Sequence, residues 1–430
     1  MPDGPLSGWR ANIAPLIRYA SVMGIKAGNI ATGFIVTLLL ARAGGPEVLG
    51  SYAMAIQSAQ LVSILAVMGC DQLALREAAA HLRLGDKATA NSHVRHYLKF
   101  VTPLALLVAG LYAASIVALQ HAGFAAAQEG ALIAATGFVT ANVYYMMGLG
   151  IVRGLGNAVR AQVFDGLYTV PLALGLGVVL LTGGHVTAVS TVILATVCLV
   201  AAMALLFFLL WRQARDWGTD DSTTPPSPWV EGTPMMLISF LMYFGQWLPQ
   251  FLAGTLGSAG DAGAFRAAWQ LAMPFAVIQT TAAMMISANI SGDLRQGRLA
   301  AAHARLRRNR YATLASTLPL ALPLLIWPQP ILTLIFGPAF AGTAPLLQWL
   351  VGANMLAILA GPSGAIITMS GRSRDTLPAV IAAALLMAVL AFVLVPRFGI
   401  SGLAMAYAAS YALRVVQGWW LTRQILLPKQ

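Results

Sequence analysis

Three basic side chains fall where the apolar pattern of this sequence places hydrocarbon: Lys26, Arg266 and Arg414. A cation at such depth has one useful chemistry, and it is non-covalent. Two dispersed cations attract a phosphate or an acidic sugar and still release it, which a tight bidentate site would resist. Lys26 lies between Gly24 and Gly28, which permit close helix approach, and Asn29 follows on the same helical face. Arg414 ends a stripe of Tyr407 and Tyr411 at i, i+4, i+7 spacing, which Gln417 extends; such a stripe should face protein or water. Arg266 sits nearer a helix end, where anchoring to headgroups and guiding a phosphate are equal alternatives. Asp165, with Gln162 and Tyr168 one turn to either side, and Asp71 are the acidic candidates. A buried carboxylate exchanges protons because desolvation raises its pKa; the alternative for Asp165 is an ion pair, for instance with Arg414. Lys26, Arg266, Arg414, Tyr411 and Asp165 are thus the expected substrate-cavity residues.

Covalent chemistry has no comparable candidates. The chain carries no HExxH run, no phosphate-binding glycine loop and no nucleophile elbow. Its six histidines fall mostly in expected loops, and its two cysteines, Cys70 and Cys198, lie in apolar runs as small core residues. The expectation is a protein that is not an enzyme and holds no cofactor or metal, with proton or sodium coupling left open.

The elements that position these residues follow from composition. Of 430 residues 58% are hydrophobic and only 9% charged, too few charges to cover a soluble surface. Apolar runs recur throughout and predict an all-α polytopic membrane protein of about twelve helices. They are placed near 16–41, 49–74, 97–119, 130–152, 161–182, 187–211, 233–255, 264–290, 311–336, 344–369, 376–396 and 400–425. When the intervening loops are numbered alternately, 21 of the 26 basic residues fall on one side; the exceptions are Lys26, Arg42, Arg266, Arg397 and Arg414. The positive-inside rule makes that side cytoplasmic, with both termini on it. The net charge of +12 is therefore read as attraction to anionic lipid, not to nucleic acid. The first helix is read as a retained span, because no small-residue cleavage site follows it.

The halves of the chain echo one another. Gly50-x-Tyr52-x-x-Ala55 returns as Gly263-x-Phe265-x-x-Ala268, and Gly184 returns near the same spacing as Gly399. Basic loops at 76–99 and 293–310 follow the two helices that these motifs open. The expected organisation is an N-terminal six-helix bundle (1–215), a flexible cytoplasmic linker rich in proline and aspartate (216–232), and a C-terminal six-helix bundle (233–430). An even number of helices per half implies a pseudo-twofold axis along the membrane normal.

The run Leu39-Leu40-Ala41-Arg42-Ala43-Gly44-Gly45-Pro46-Glu47-Val48-Leu49-Gly50-Ser51-Tyr52-Ala53 resembles the start of the bacterial polysaccharide biosynthesis and export flippases. These belong to the superfamily that includes the multidrug and toxin extrusion (MATE) transporters and the lipid II flippase. Gly337-Pro338-Ala339-Phe340, Gly371-Arg372 and Phe398-Gly399-Ile400-Ser401-Gly402 are similar to later segments of that family. The resemblance implies two six-helix bundles, MATE-like, around a central cavity, working by alternating access in the bacterial inner membrane. It implies an undecaprenyl-pyrophosphate-linked oligosaccharide such as an O-antigen or exopolysaccharide unit as substrate. Membrane lipids, a glycan polymerase and a chain-length regulator are the implied partners. An ion-coupled drug or metabolite antiporter of the same fold stands as the alternative, and a membrane glycan polymerase or ligase as one of another class.

The orientation makes a direct prediction: a cysteine placed at Ser222 is labelled by impermeant maleimide from the cytoplasmic face only, and labelling in intact spheroplasts contradicts it.

Overall fold

The computed structural model describes residues 5–123, 130–220, 222–370 and 372–426. Glu129, Asp221, Gly371 and Lys429, and the side chains of Arg10, Arg18, Arg295 and Arg374, lie outside what is described. Among the described residues every regular element is a helix.

The first, α1 (Pro5–Val67), is helical on both sides of Gly45, whose φ of 69° and ψ of −170° only glycine adopts without strain. Its apolar part, Gly24–Val67, has 44 residues. At 1.5 Å per residue that is about 66 Å, roughly twice the hydrocarbon thickness. It is therefore two spans in one helix, and the expected turn at Gly44-Gly45-Pro46 is a one-residue break. The second limb stops at Val67 rather than near 74, because Met68 and Gly69 both take left-handed backbone, φ 53° and 73°. The basic stretch 76–99, expected as a loop, is mostly helix: α2 (Cys70–Arg83) and α3 (Lys87–His121) flank a short turn. Asp86 caps α3 by accepting from the Thr89 amide at 3.0 Å.

Next come α4 (Ala131–Ala134), α5 (Thr136–Gly154), α6 (Ala158–Asp165), α7 (Thr169–Leu181) and α8 (Ala188–Ala214). The expected helix 161–182 is thus interrupted between Asp165 and Thr169. In the second half lie α9 (Thr233–Leu256), α10 (Ala259–Arg295), α11 (Leu299–Ile326) and α12 (Pro328–Phe336). The expected helix 311–336 bends by 90° between α11 and α12. Pro328 causes this, since it lacks an amide hydrogen and drives Trp327 out of helical backbone. Its start moves back to Leu299, so the second basic loop is largely helical too. The chain ends with α13 (Ala344–Ala360), α14 (Ser363–Met369), α15 (Leu377–Phe398) and α16 (Ile400–Leu426); Gly361, at φ 89°, separates α13 from α14. Among the described residues nine helices are long and apolar enough to cross a membrane, ten with the bent pair. Dividing Gly24–Val67 in two and adding α16, which is long enough but carries Arg414, gives the expected twelve.

The chain divides into two compact units, one of residues 1–44 and 54–244, the other of 45–53 and 245–430. In the first, α5 lies on α2 so closely that a Cβ on Gly150 or Gly154 would meet the backbone of Asp71 or Leu75. Around this crossing Leu73, Tyr97, Val101 and Met147 are fully buried. The stretch read as a flexible linker is held against this unit. Asn91 donates to the Gly218 carbonyl at 2.6 Å, and Tyr97 to that of Pro226 at 3.3 Å. Arg76 pairs with Glu231 at 2.5 Å, and Gly232 abuts Met68 and Gly69 backbone to backbone.

In the second unit the helix starts at Gly50 and Gly263 meet. A Cβ on Gly50 would strike the carbonyl of Ala259, and one on Gly263 would strike that of Pro46. These contacts are reciprocal in the register of 213 residues that the sequence echo gave. Residue i touching the equivalent of j, and j the equivalent of i, is the pattern a local twofold makes. Farther along, Asp293, 1% exposed, takes Arg298 at 3.0 Å and Arg305 at 2.8 Å, so these two arginines serve an internal carboxylate.

Gly50→Ala and Gly263→Ala should each cost at least the ~1–3 kcal/mol of an overpacked core, read as lost folded yield in detergent. Gly352→Ala, where nothing lies within 4 Å of the added methyl, should leave the yield unchanged.

Candidate functional site

The five candidates divide between the units, and each unit shows its own arrangement. In the first, Lys26 is exposed on α1 and pairs with no carboxylate among the described residues. Asn29, on the same face, donates to the Gln162 carbonyl at 2.9 Å. The α1 helix can come this close because Gly166 has no side chain; a Cβ there would strike Asn29. Asn29, one turn after Lys26, therefore stands beside the break between α6 and α7. Asp165 is at that break, but it is exposed, not buried, and pairs with Arg153 at 3.8 Å while accepting from Gln162 at 3.3 Å. The suggested pairing of Asp165 with Arg414 is replaced by this local one.

In the second unit, Tyr407 is buried, Tyr411 half-buried and Arg414 exposed, so the stripe on α16 runs from the core outward. The Tyr407 and Tyr411 rings stack at 5.7 Å. Trp269 of α10 meets Tyr407 edge-on at 5.4 Å and stacks on Phe265 at 5.8 Å. Arg266, half-buried, is one turn before Trp269 on the same helix. An aromatic column thus joins the helices that carry Arg266 and Arg414. Gln417, at the end of the stripe, donates to the Asp375 carbonyl at 3.1 Å. Gln250 of α9 is buried and donates to the Ala262 carbonyl at 2.7 Å, a structural link. The Gln270 side-chain oxygen is buried without a hydrogen-bond donor among the described residues.

A cleft of about 260 Å³ in the first unit contains none of the five; Asn91, Arg95, Trp211, Arg215 and Trp217 are among its walls.

No family model matches this sequence, and no curated protein matches it. Solved structures do. One is an inward-facing multidrug resistance MATE family transporter of the MOP superfamily; it aligns over 95% of this chain and 98% of its own, with TM-score 0.73 at 16% identity. A MOP superfamily transporter from Pyrococcus furiosus, described as having a binding pocket of reverse polarity that suggests a different function, aligns over 95% of both chains with TM-score 0.64 at 17% identity. An outward-facing multidrug resistance MATE transporter aligns over 94% of this chain and 95% of its own, with TM-score 0.57 at 16% identity. The fold is the MATE transporter fold. With nine helices long and apolar enough to cross a membrane among its described residues, the chain is a multi-pass membrane protein.

Within this MATE fold, one group escaped the sequence reading, and a second, already an acidic candidate, takes a new setting. The first is a cluster of Glu77, His81 and His93, whose donor atoms all lie within 4.8 Å of one another. Expecting histidines in loops hid it. His81, His93, His96, His121 and His303 are all helical. The spacing Glu77-x3-His81 is the signal, but it becomes readable only once 76–83 is known to be helix. The second is Asp71, which lies in α2 beyond the end of the apolar run. Burial is the largest effect on it and raises its carboxyl above the ordinary value, against hydrogen bonds from Gln72 and the charge of Arg153, which lower it. Beside it, burial pushes the Cys70 thiol up to about 12, so the thiol stays neutral and unreactive.

The sign of the Asp71 effect is fixed by linkage. A carboxyl whose folded pKa exceeds its unfolded one binds more protons when folded, so stability falls as pH rises between the two values. Asp71→Asn should therefore raise the melting temperature in detergent at pH 7 and lose that advantage as pH falls towards about 4, near the unfolded carboxyl value. Equal gains at both ends of a pH 4–8 series would contradict it.

Proposed function

We propose that this chain carries a lipid-linked oligosaccharide pyrophosphate across the bacterial inner membrane by alternating access, with both termini cytoplasmic. One observation carries the choice of an anionic substrate. Lys26 and Arg414 are both exposed on largely apolar helices, and neither pairs with a carboxylate among the described residues. Facing lipid, each would cost about 2.5–3.5 kcal/mol even on insertion scales. Facing a water-filled cleft, each keeps its hydration and is free to meet an anion. The aromatic column leading to Arg414 offers flat surface for sugar rings beside that charge. The neighbour with a pocket of reverse polarity supports the view that this fold accommodates different pocket charges. In this reading Arg266 guides the head group, Tyr411 lines its path, and Asp165 holds Arg153 in place. Membrane lipids, a glycan polymerase and a chain-length regulator are the partners it would work beside.

A second reading, a proton-coupled drug or metabolite antiporter, is favoured by Asp71. A carboxyl that burial holds above its ordinary value can take up and give back a proton as its surroundings change. Coupling through Asp71 is compatible with either substrate.

The test is reconstitution in proteoliposomes, with a labelled polyprenyl-pyrophosphate oligosaccharide and a cationic dye as rival substrates. Lys26→Gln and Arg414→Gln should keep normal abundance and each reduce oligosaccharide transport per folded molecule about tenfold, the worth of one charge-assisted contact of ~1.5 kcal/mol. Full transport by both variants removes these residues from the mechanism. Transport of the dye alone, with a pH dependence that Asp71→Asn abolishes, establishes the antiporter instead.

A further inference from the structure

We propose that Glu77, His81 and His93 form a binding site for a divalent transition-metal ion of the zinc class, a site separate from the transport path. Glu77 and His81 are four residues apart on α2 and so share a face. His93 reaches them from α3. Glu77 divides its carboxylate: one oxygen takes Arg76 at 3.0 Å, and the other faces His93 Nδ1 at 3.4 Å and His81 Nε2 at 3.8 Å. Donors on a tetrahedral ion with bonds of 2.0–2.2 Å lie about 3.3–3.6 Å apart. The pair from Glu77 to His93 already has that spacing, and a small rotation of the partly exposed His81 brings in the third.

Three further observations point to a ligand. His93 is 2% exposed, and its Nδ1 is buried without a hydrogen-bond partner among the described residues. With its proton on Nε2, given to the Thr223 hydroxyl, His93 turns the Nδ1 lone pair to the Glu77 oxygen at 3.4 Å out of water, which is costly unless a cation lies between them. Each histidine also has its other nitrogen against an oxygen. His93 Nε2 is 3.1 Å from the Thr223 hydroxyl, and His81 Nδ1 is 3.5 Å from an Asp86 oxygen. Outer oxygens of this kind fix the tautomer that presents the inner nitrogen to a metal. Finally, the charge in direct contact is negative. Glu77, Asp86 and Glu231 are set against Arg76 alone, a balance of two negative charges that a dication neutralises.

Two imidazoles and one carboxylate select zinc, cobalt or nickel over magnesium or calcium, which prefer all-oxygen shells. Three protein ligands leave the fourth position to water. An ion here would tie α2 to α3. Through Thr223 it would also fix the chain between α8 and α9, where Asn91 and Tyr97 already hold the carbonyls of Gly218 and Pro226.

The experiment uses full-length, tag-free protein in detergent, stripped with a chelator and then titrated with Co2+ or Zn2+. One equivalent of Co2+ should bind with visible d–d absorption, and Zn2+ should raise the melting temperature where the same concentration of Mg2+ does not. His81→Ala changes a partly exposed side chain and should fold normally; it should bind Co2+ at least tenfold more weakly. Asp86→Asn should weaken binding about tenfold through orientation of His81 alone. Substoichiometric binding, or wild-type affinity in His81→Ala and Glu77→Gln, overturns the proposal.

Discussion

The close approach of backbone to backbone at glycine is the constraint on which this structure depends. In lipid the hydrophobic effect does not drive one helix against another, so association relies on contact area and on polar links. Here glycine stands at several close approaches: Gly50 against Gly263, Gly150 and Gly154 against α2, Gly166 against Asn29, and Gly232 against Gly69. Each brings a carbonyl or a short amide within reach of a neighbouring main chain. Leu73, Tyr97 and Met147 then fill the space around one such crossing. The apolar side chains that make up most of the sequence fill and cover; the glycines decide where helices cross.

That division explains what was legible in the sequence. Helix number followed from apolar runs, since backbone in hydrocarbon has few other ways to satisfy its polar groups. The echo of Gly50 in Gly263 was visible as spacing and became a reciprocal contact. Helix ends were less legible. Nothing in the apolar pattern showed that Met68 and Gly69 would turn left-handed and stop a helix seven residues early, or that Pro328 would turn a span through a right angle. The basic stretches misled for a related reason. Charge density reads as loop, yet arginine and alanine are good helix formers, and 76–83 and 299–310 are helical.

The candidate site was legible by depth but not by neighbourhood. A charge in an apolar run announces itself, and Lys26 and Arg414 were found that way. What stands beside a charge depends on which helices touch. The partner of Asp165 is Arg153, from the helix before it, and no sequence spacing distinguishes that pair from one with Arg414. The column from Phe265 through Trp269 to Tyr407 joins residues well over a hundred positions apart. The Glu77, His81 and His93 cluster was hidden twice, by the loop reading of its helix and by the absence of any familiar metal motif.

The helix Thr233–Leu256 belongs to both compact units, which divide between Phe244 and Gly245. Pro249 lies one turn beyond that division, and a proline there has no amide hydrogen to give the Gly245 carbonyl. With Gly218, Pro226, Glu231 and Gly232 held on the first unit, the chain at this one of its three passages between units is a rod with one weakened turn, not a slack cord. A cord passes on tension only. A rod also transmits torque and bending, and a joint in it sets where that bending concentrates. The place where this helix yields is thereby written into a single turn of its backbone, with no energy source and no ligand required to create it.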